Sequence, residues 1–332
     1  MVYIYRKTIG EKTYYYLRAS VRNKGKIIVK DIKYLGSDLN SLKDKLKDIP
    51  GKYAEEIRKT YKTLNRFIEV NRYLAQATQQ VESDGFLDKE ALQQVRACRI
   101  HWTDVFLKTD KLTQQEILKN FVIEYAFNTT SMEGNTISLE EAHDLLLENL
   151  TPKNKTLREI YDLQNTESVF FDLLGKQDIN HNLICQIHDR LLDKIDSRKG
   201  YRTDDVRVFR AQFKATPAPY VKADMDLLLS WYKQNKAKMH PLALATIFHH
   251  KLEKIHPFMD GNGRTGRMLM NHILLRSKYP PVIIRKRNRS KYLDKLHEAD
   301  RISLDRHAPE QYRPLVEFVA AELSDYYWNT FL

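Results

Sequence analysis

Seven positions with chemical potential fall within twelve residues: His256, Asp260, Gly261, Asn262, Gly263, Arg264 and Arg267, in HPFMDGNGRTGR. Pro257 cannot continue the apolar stretch PLALATIFHHKLEKI, so His256 sits at a helix exit and offers a base that titrates near neutrality. Gly-Asn-Gly tolerates positive φ and can turn consecutive N–H groups into a concave anion nest. RTGRMLMNHILL then starts a second helix, whose first turn carries free N–H donors and a partial positive charge. Arg264 and Arg267 are three apart, on one face of that turn, and forked guanidinium groups suit phosphate oxygens. Asp260 supplies a carboxylate for a divalent cation. A base, a cation site and an anion cradle are the parts of phosphoryl or nucleotidyl transfer. The stretch is not a P-loop, since GxxxxGK(S/T) is absent. GNGRTG fits GxGxxG, but a helix rather than a strand precedes it.

A second oddity lies upstream, in FVIEYAFNTTSMEGNTISLEEAHDLLL. Apolar residues at 117, 118, 121, 122 and 125 make a helix face, and Gly134-Asn135 stops that helix. Ser138 with Glu141 makes a capping box for the next one. Glu133 is thereby left in a last turn, where an anion opposes the helix dipole by about 0.3 kcal/mol or more. A local rule broken in this way marks a residue kept for function.

The elements that position these groups are mostly helical. Apolar residues recur at helical spacing in 57–78, 86–107, 115–132, 139–149, 157–174, 181–195, 223–238, 241–255, 264–277, 290–300 and 312–328. Residues 2–35 differ. They are rich in Tyr, Val and Ile, punctuated by Gly10 and Gly25, and read as a three-stranded antiparallel meander. Residues 206–221, with Pro217 and Pro219, read as a hairpin or flap. The expected organisation is a basic β module at 1–50, a helical region at 51–112, a helix pair at 113–150, a catalytic core at 151–300 and a C-terminal helical extension at 301–332.

Of the net charge of +12, residues 1–62 hold +9, from sixteen Lys/Arg against seven Asp/Glu. Such a module suits an acidic partner, nucleic acid included. No stretch reaches the ~20 apolar residues of a membrane span, and the N-terminus lacks the apolar region of a signal peptide. Cys98 and Cys185 have no metal-ligand spacing and suit free thiols in a reducing cytoplasm.

HPFMDGNGRTGR matches HxFx(D/E)GNGRxxR, the signature of the Fic family, at every defined position, and GYRTDDVRVFRAQFKATPAPYVKADMDLLLSWY resembles the Fic segment carrying the β-hairpin flap and the helix after it. The resemblance covers roughly residues 115–300. It implies a mainly α fold, a Fic-type helical bundle with a flap, here with the small N-terminal sheet added. It also implies a protein adenylyltransferase, which moves AMP from ATP to a Ser, Thr or Tyr hydroxyl and uses Mg²⁺ or Mn²⁺. His256 would then be the base, Phe258 the loop's anchor and Asp260 the metal ligand. Gly261, Asn262 and Gly263 would hold the phosphates, with Arg264 and, at the γ-phosphate, Arg267. Tyr292 resembles the residue that closes over adenine. Val208, Phe209, Arg210, Ala211, Gln212, Phe213 and Lys214 would hold the target by strand addition.

TTSMEG, Thr129 to Gly134, resembles the (S/T)xxxE(G/N) motif of self-restrained Fic proteins that carry an N-terminal inhibitory helix. This implies that Glu133 pairs with Arg267 and keeps ATP out of its productive pose. Removal of AMP at the same site, and a role as an interaction protein binding nucleic acid through residues 1–50, stay open as alternatives. The partners implied are ATP and a target protein, with the chain itself as one candidate, and a homodimer is left open.

Overall fold

The computed structural model describes residues 1–332 except 24, 48, 50, 79–84, 174, 176 and 207–213, and leaves the side chains of 23, 52 and 173 undescribed. The chain divides into two units, residues 1–80 and 81–331.

In the first unit, strands β1 (Val2–Ile9), β2 (Lys12–Asn23) and β3 (Lys26–Gly36) form an antiparallel sheet in sequence order. The turns need Gly10 (φ 60°) and Gly25 (φ 80°), where a β-carbon would be strained. Val2, Ile4, Tyr15, Leu17, Ala19 and Leu35 are buried together with Leu42 of α1 (Leu42–Lys47) and Leu64 and Ile68 of α2 (Ala54–Thr78). Three strands need such a partner to be stable. Each fully buried aliphatic side chain contributes about 1.5–3 kcal/mol, and α2 supplies the opposing apolar stripe. The meander is therefore as expected, and α2 completes its core.

The second unit is helical among its described residues: α3 (Lys89–Asp104), α4 (Lys111–Met132), α5 (Leu139–Glu148), α6 (Leu157–Leu173), α7 (His181–Leu191), α8 (Val221–Asn235), α9 (Pro241–Ile255), α10 (Asn262–Arg276), α11 (Arg289–Ala299) and α12 (Pro309–Thr330). The apolar periodicity foretold each of these, with ends displaced by a few residues. α9 and α10 form the central pair, α7, α8 and α12 pack around them, and α4 packs on α5 and α6.

Every residue of α9 from Leu242 to Leu252 is buried. A helix buried all round must satisfy its polar side chains internally. Accordingly His250 meets the Tyr312 hydroxyl at 2.9 Å and Asp300 at 3.1 Å, and Lys251 Nζ donates to the carbonyls of Leu304 and, at 2.7 Å, Arg306.

The expected capping box is present: the Ser138 hydroxyl accepts from Glu141 N at 3.1 Å and Glu141 Oε2 accepts from Ser138 N at 2.7 Å. Most of the expected flap, Val208, Phe209, Arg210, Ala211, Gln212 and Phe213, lies outside the described residues; Lys214 is exposed and belongs to no helix or strand. A short turn over Ala218–Tyr220 then leads into α8.

Candidate active site

α9 ends because Pro257 cannot extend it. The chain reverses through His256, which takes the left-handed conformation (φ 54°, ψ 61°) and donates its N–H to Leu252 O at 2.9 Å. That conformation costs a residue with a β-carbon about 1–2 kcal/mol. Arg202, 5% exposed, clasps this turn. Its Nε donates to His256 O at 2.7 Å, its backbone N to Pro257 O at 2.9 Å and its Nη1 to Asp204 O at 2.9 Å. Its Nη2 also meets Thr216 O. A single guanidinium thus ties the helix exit to both described ends of the segment around 207–213.

His256 Nδ1 lies 3.2 Å from Glu253 O, and a carbonyl can only accept, so Nδ1 carries the proton and Nε2 is left with its lone pair. Burial pushes the His256 pKa below its ordinary value, against the opposing pull of the Glu253 carbonyl. The imidazole is therefore neutral at physiological pH, as a base must be.

The loop after His256 is anchored from beneath. Phe258 is fully buried and its ring stacks on His188 with centroids 3.7 Å apart and planes 3° from parallel. His188 Nε2 donates to Asp260 O at 3.1 Å. Asn262 then closes the loop through its side chain, accepting from Phe258 N and donating to Phe258 O, both at 2.9 Å. The segment expected to turn consecutive N–H groups into an anion nest has one left-handed residue, Gly261 (φ 75°), and Asn262 is already the first residue of α10. The cradle is a helix N-terminus entered through that glycine. Gly263 is required by a close approach: a β-carbon there would collide with Glu133 Oε1 and lie 2.9 Å from Arg267 Nη1.

The charged groups are interlocked. Asp260 Oδ1 accepts from Gly261 N at 2.7 Å, while Oδ2 meets Arg158 and lies 3.6 Å from Arg264. Burial works to raise the Asp260 pKa, but Arg264, the Gly261 N–H and Arg158 together hold it below the usual carboxylate range. Arg264 is also paired with Asp162, whose own pKa burial raises.

Arg267 is 4% exposed. Its Nε donates to Thr129 Oγ1 at 2.7 Å, and its Nη2 donates to Thr129 O at 3.0 Å and to Glu133 Oε1 at 2.7 Å. Burial raises the Glu133 pKa, and the charge and hydrogen bond of Arg267 more than reverse this, leaving it below its ordinary value. The end of α4 is held here: Glu133 is its C-terminal capping residue, and Arg289 Nε donates to Met132 O at 3.1 Å. Gly134 (φ 103°) turns the chain away.

Glu133, His256, Asp260, Gly261, Asn262, Gly263 and Arg267 line one cleft of about 290 Å³, with Tyr292, Leu293 and Leu296 of α11 on its other side. The structure thus brings together the His256–Arg267 loop, Glu133 and Tyr292, and Thr129 joins them through Arg267. Tyr292 forms buried wall: it is 2% exposed, and its hydroxyl is bonded to His249 Nε2.

Asp260 fits a hard divalent cation, being an ionised carboxylate facing the cleft. Among the described residues no group of three or more His, Cys, Asp or Glu is arranged around a metal position. A cation held by this one carboxylate would take its other ligands from water and from a bound anion, a coordination Mg²⁺ accepts.

The sequence reading missed Arg202, Asp162, Arg158, His188 and Glu253. Arg202 lay within the segment resembling the flap region, and Glu253 carried a local signal, lying three residues before His256. It lines the cleft, and burial pushes its pKa up to about 8, against the pull of Arg267.

The Fic/DOC family model matches residues 178–274. The chain is 33% identical over 228 residues to the protein adenylyltransferase Fic of Aedes aegypti, covering 64% of this chain and 43% of the relative. It is 28% identical over 241 residues to the protein adenylyltransferase fic-1 of Caenorhabditis elegans, covering 70% and 45%. The chain thus spans less than half the length of these curated relatives. Among solved structures, a fragment of Fic-1 from Caenorhabditis elegans is similar with a TM-score of 0.61 at 26% identity, covering 73% of this chain and 71% of the fragment. A Fic-domain signalling protein from Bacteroides thetaiotaomicron shares the fold, with a TM-score of 0.64 at 23% identity over 70% of this chain and 95% of that one.

Proposed function

We propose that this chain, whose residues 178–274 match the Fic/DOC family model, transfers AMP from ATP to a hydroxyl of a protein side chain and is restrained at rest by Glu133. The observation that carries the reading is the shared cleft. It holds a neutral His256 with Nε2 free to take a proton, at one end of a loop whose other end is the N-terminus of α10, with Arg267 in the second turn of that helix.

The target oxygen attacks the α-phosphorus of ATP, and its proton passes to His256 Nε2. The bond from the α-phosphorus to the oxygen bridging to the β-phosphate breaks, and pyrophosphate leaves with that electron pair. The N-terminus of α10 and the guanidinium groups of Arg264 and Arg267 bind the phosphates and stabilise the charge that develops there. Asp260 would hold the divalent cation, which when bound neutralises phosphate charge. At rest Glu133 occupies Arg267, so the γ-phosphate must compete with a carboxylate already in place. That the similar proteins of Aedes aegypti and Caenorhabditis elegans are protein adenylyltransferases supports this chemistry. Cys98 and Cys185 are both free thiols, which supports a cytoplasmic setting.

The test uses the whole chain with Mg²⁺ and ATP labelled at either the α- or the γ-phosphorus. Label from the α position, a protein mass gain of one AMP, and loss of both in His256→Ala are expected. Transfer of the γ-label to protein would mean a kinase and overturn the reading.

A further inference from the structure

The outer face of the N-terminal sheet is a feature that AMP transfer does not use. Strand register aligns Tyr5 with Tyr16 and Tyr16 with Tyr34, and aligns Tyr3 with Arg18 and Lys7 with Tyr14. These residues lie on the face opposite Ile4, Leu17 and Leu35, which are buried with α2. The rings form a tilted row: Tyr16 and Tyr34 have centroids 5.1 Å apart, and Tyr14 and Tyr34 are 6.4 Å apart. The Arg18 guanidinium sits 3.6 Å above the Tyr5 ring and is held by Asp31 at 2.5 Å. Tyr34 remains 51% exposed although it belongs to an aromatic cluster, and Ile27 and Val29 of the same strand are 73% and 48% exposed. An aromatic row of this kind usually earns its place by being covered.

Charge identifies the cover. Lys7, Lys12, Arg18 and Arg22 share the tyrosines' face through the register pairs, with Asp31 as the acid opposite Arg18. An acidic peptide would need only the cations. Aromatic rings interleaved with cations suit a ligand that offers π faces and regularly spaced phosphates together, the combination used by single-strand binders. We propose that this sheet face binds single-stranded nucleic acid, with bases stacked on Tyr16 and Tyr34 and phosphates met by Lys7, Lys12 and Arg22. This site stands independently of the AMP-transfer reading.

The test is fluorescence anisotropy of the whole chain with a labelled single-stranded oligonucleotide, in excess ATP so that the catalytic cleft does not contribute. Binding is expected to weaken with salt by a log–log slope of about −0.7 per phosphate neutralised, so about −2 for three cations. Tyr16→Ala and Tyr34→Ala should each weaken binding about fivefold or more, whereas Tyr16→Phe keeps it. Lys7→Gln with Arg22→Gln, both at exposed positions, should flatten the salt slope without lowering the melting temperature. Three results would each overturn the proposal: no binding, affinity indifferent to the tyrosine substitutions, or complete displacement by polyglutamate at equal charge. The last would assign the face to an acidic protein. Tighter binding of the matched duplex than of the single strand would also overturn it.

Discussion

Arg267 Nη2 lies 2.7 Å from Glu133 Oε1, joining two residues 134 positions apart that both line the cleft. The arginine is buried and additionally bonded through Nε to Thr129. Glu133 retains 44% of its side-chain exposure. The pair is therefore asymmetric: the guanidinium is fixed by its surroundings, and the carboxylate is the member that can leave. Glu133→Gly should raise AMP incorporation on the order of tenfold or more, the size of an ordinary coupling between sites. The measurement is transfer of α-label per enzyme at saturating ATP. An unchanged rate would mean that the contact does not restrain the enzyme.

Much of this arrangement was legible before any coordinates, and the reasons differ by residue. Pro257, Gly134 and the Ser138/Glu141 box act within one turn of chain, so local rules suffice for them. Glu133 stood out because it opposed its own helix, and its answer, Arg267, comes from another helix. Asp162 and Arg158, on α6, meet Arg264 and Asp260 only through the packing of α6 near the loop. Arg202 lies in the segment that resembles the Fic flap region, but nothing in its own turn announces that it clasps His256 O. Asn262 shows the opposite limit. Gly-Asn-Gly announces a tight polar turn, but not that the Asn262 side chain closes the loop on Phe258 while its backbone starts α10.

His256 makes a prediction about pH. Its folded pKa is lowered by burial, so the reactive neutral form already predominates at the ordinary histidine pKa. The rate of AMP transfer should rise with pH, with an apparent pKa under 6.5, and then level off. His256→Ala should cost about 10²–10⁴-fold in rate. A wild-type profile still climbing steeply above neutrality would count against a neutral resting imidazole.

Arg202 is a positioning residue, since it touches the backbone of the catalytic turn and no reacting atom. Arg202→Lys cannot reproduce bonds to His256 O, Asp204 O and Thr216 O at once, because a single ammonium lacks the planar fork. Its kcat should fall by about tenfold or more through misplacement of His256, with little change in KM for ATP, because the phosphate-binding end of the loop is anchored separately by Phe258 and Asn262. An equal loss in a variant whose KM rises instead would indicate general collapse of the loop.

Phe258 tests the anchor itself. It is fully buried against the His188 ring, and Phe258→Ala should destabilise the helical unit by about 3–5 kcal/mol. Phe258→Leu fills most of the volume and should cost less than half as much in denaturant unfolding. Equal losses would show that stacking on His188, rather than filled space, holds the loop.

Glu253 links the cleft to stability. Its folded pKa is about 8 against an ordinary 4.5, raised first by burial, with the pull of Arg267 opposing and Glu133 and Asp300 reinforcing. Between those two values the folded chain keeps a proton that the unfolded chain releases. The native state therefore binds more protons, and stability falls as pH rises through that window and flattens above 8. The side chain keeps 20% exposure, which tempers the cost to about 2–3 kcal/mol across the window. Glu253→Gln mimics the protonated form and cannot ionise. It should match the wild type below pH 4.5 and exceed it by that amount above pH 8. Chemical unfolding monitored at both ends of the range checks this. A variant less stable than the wild type at the alkaline end would show that the Glu253 carboxylate is the form the fold prefers.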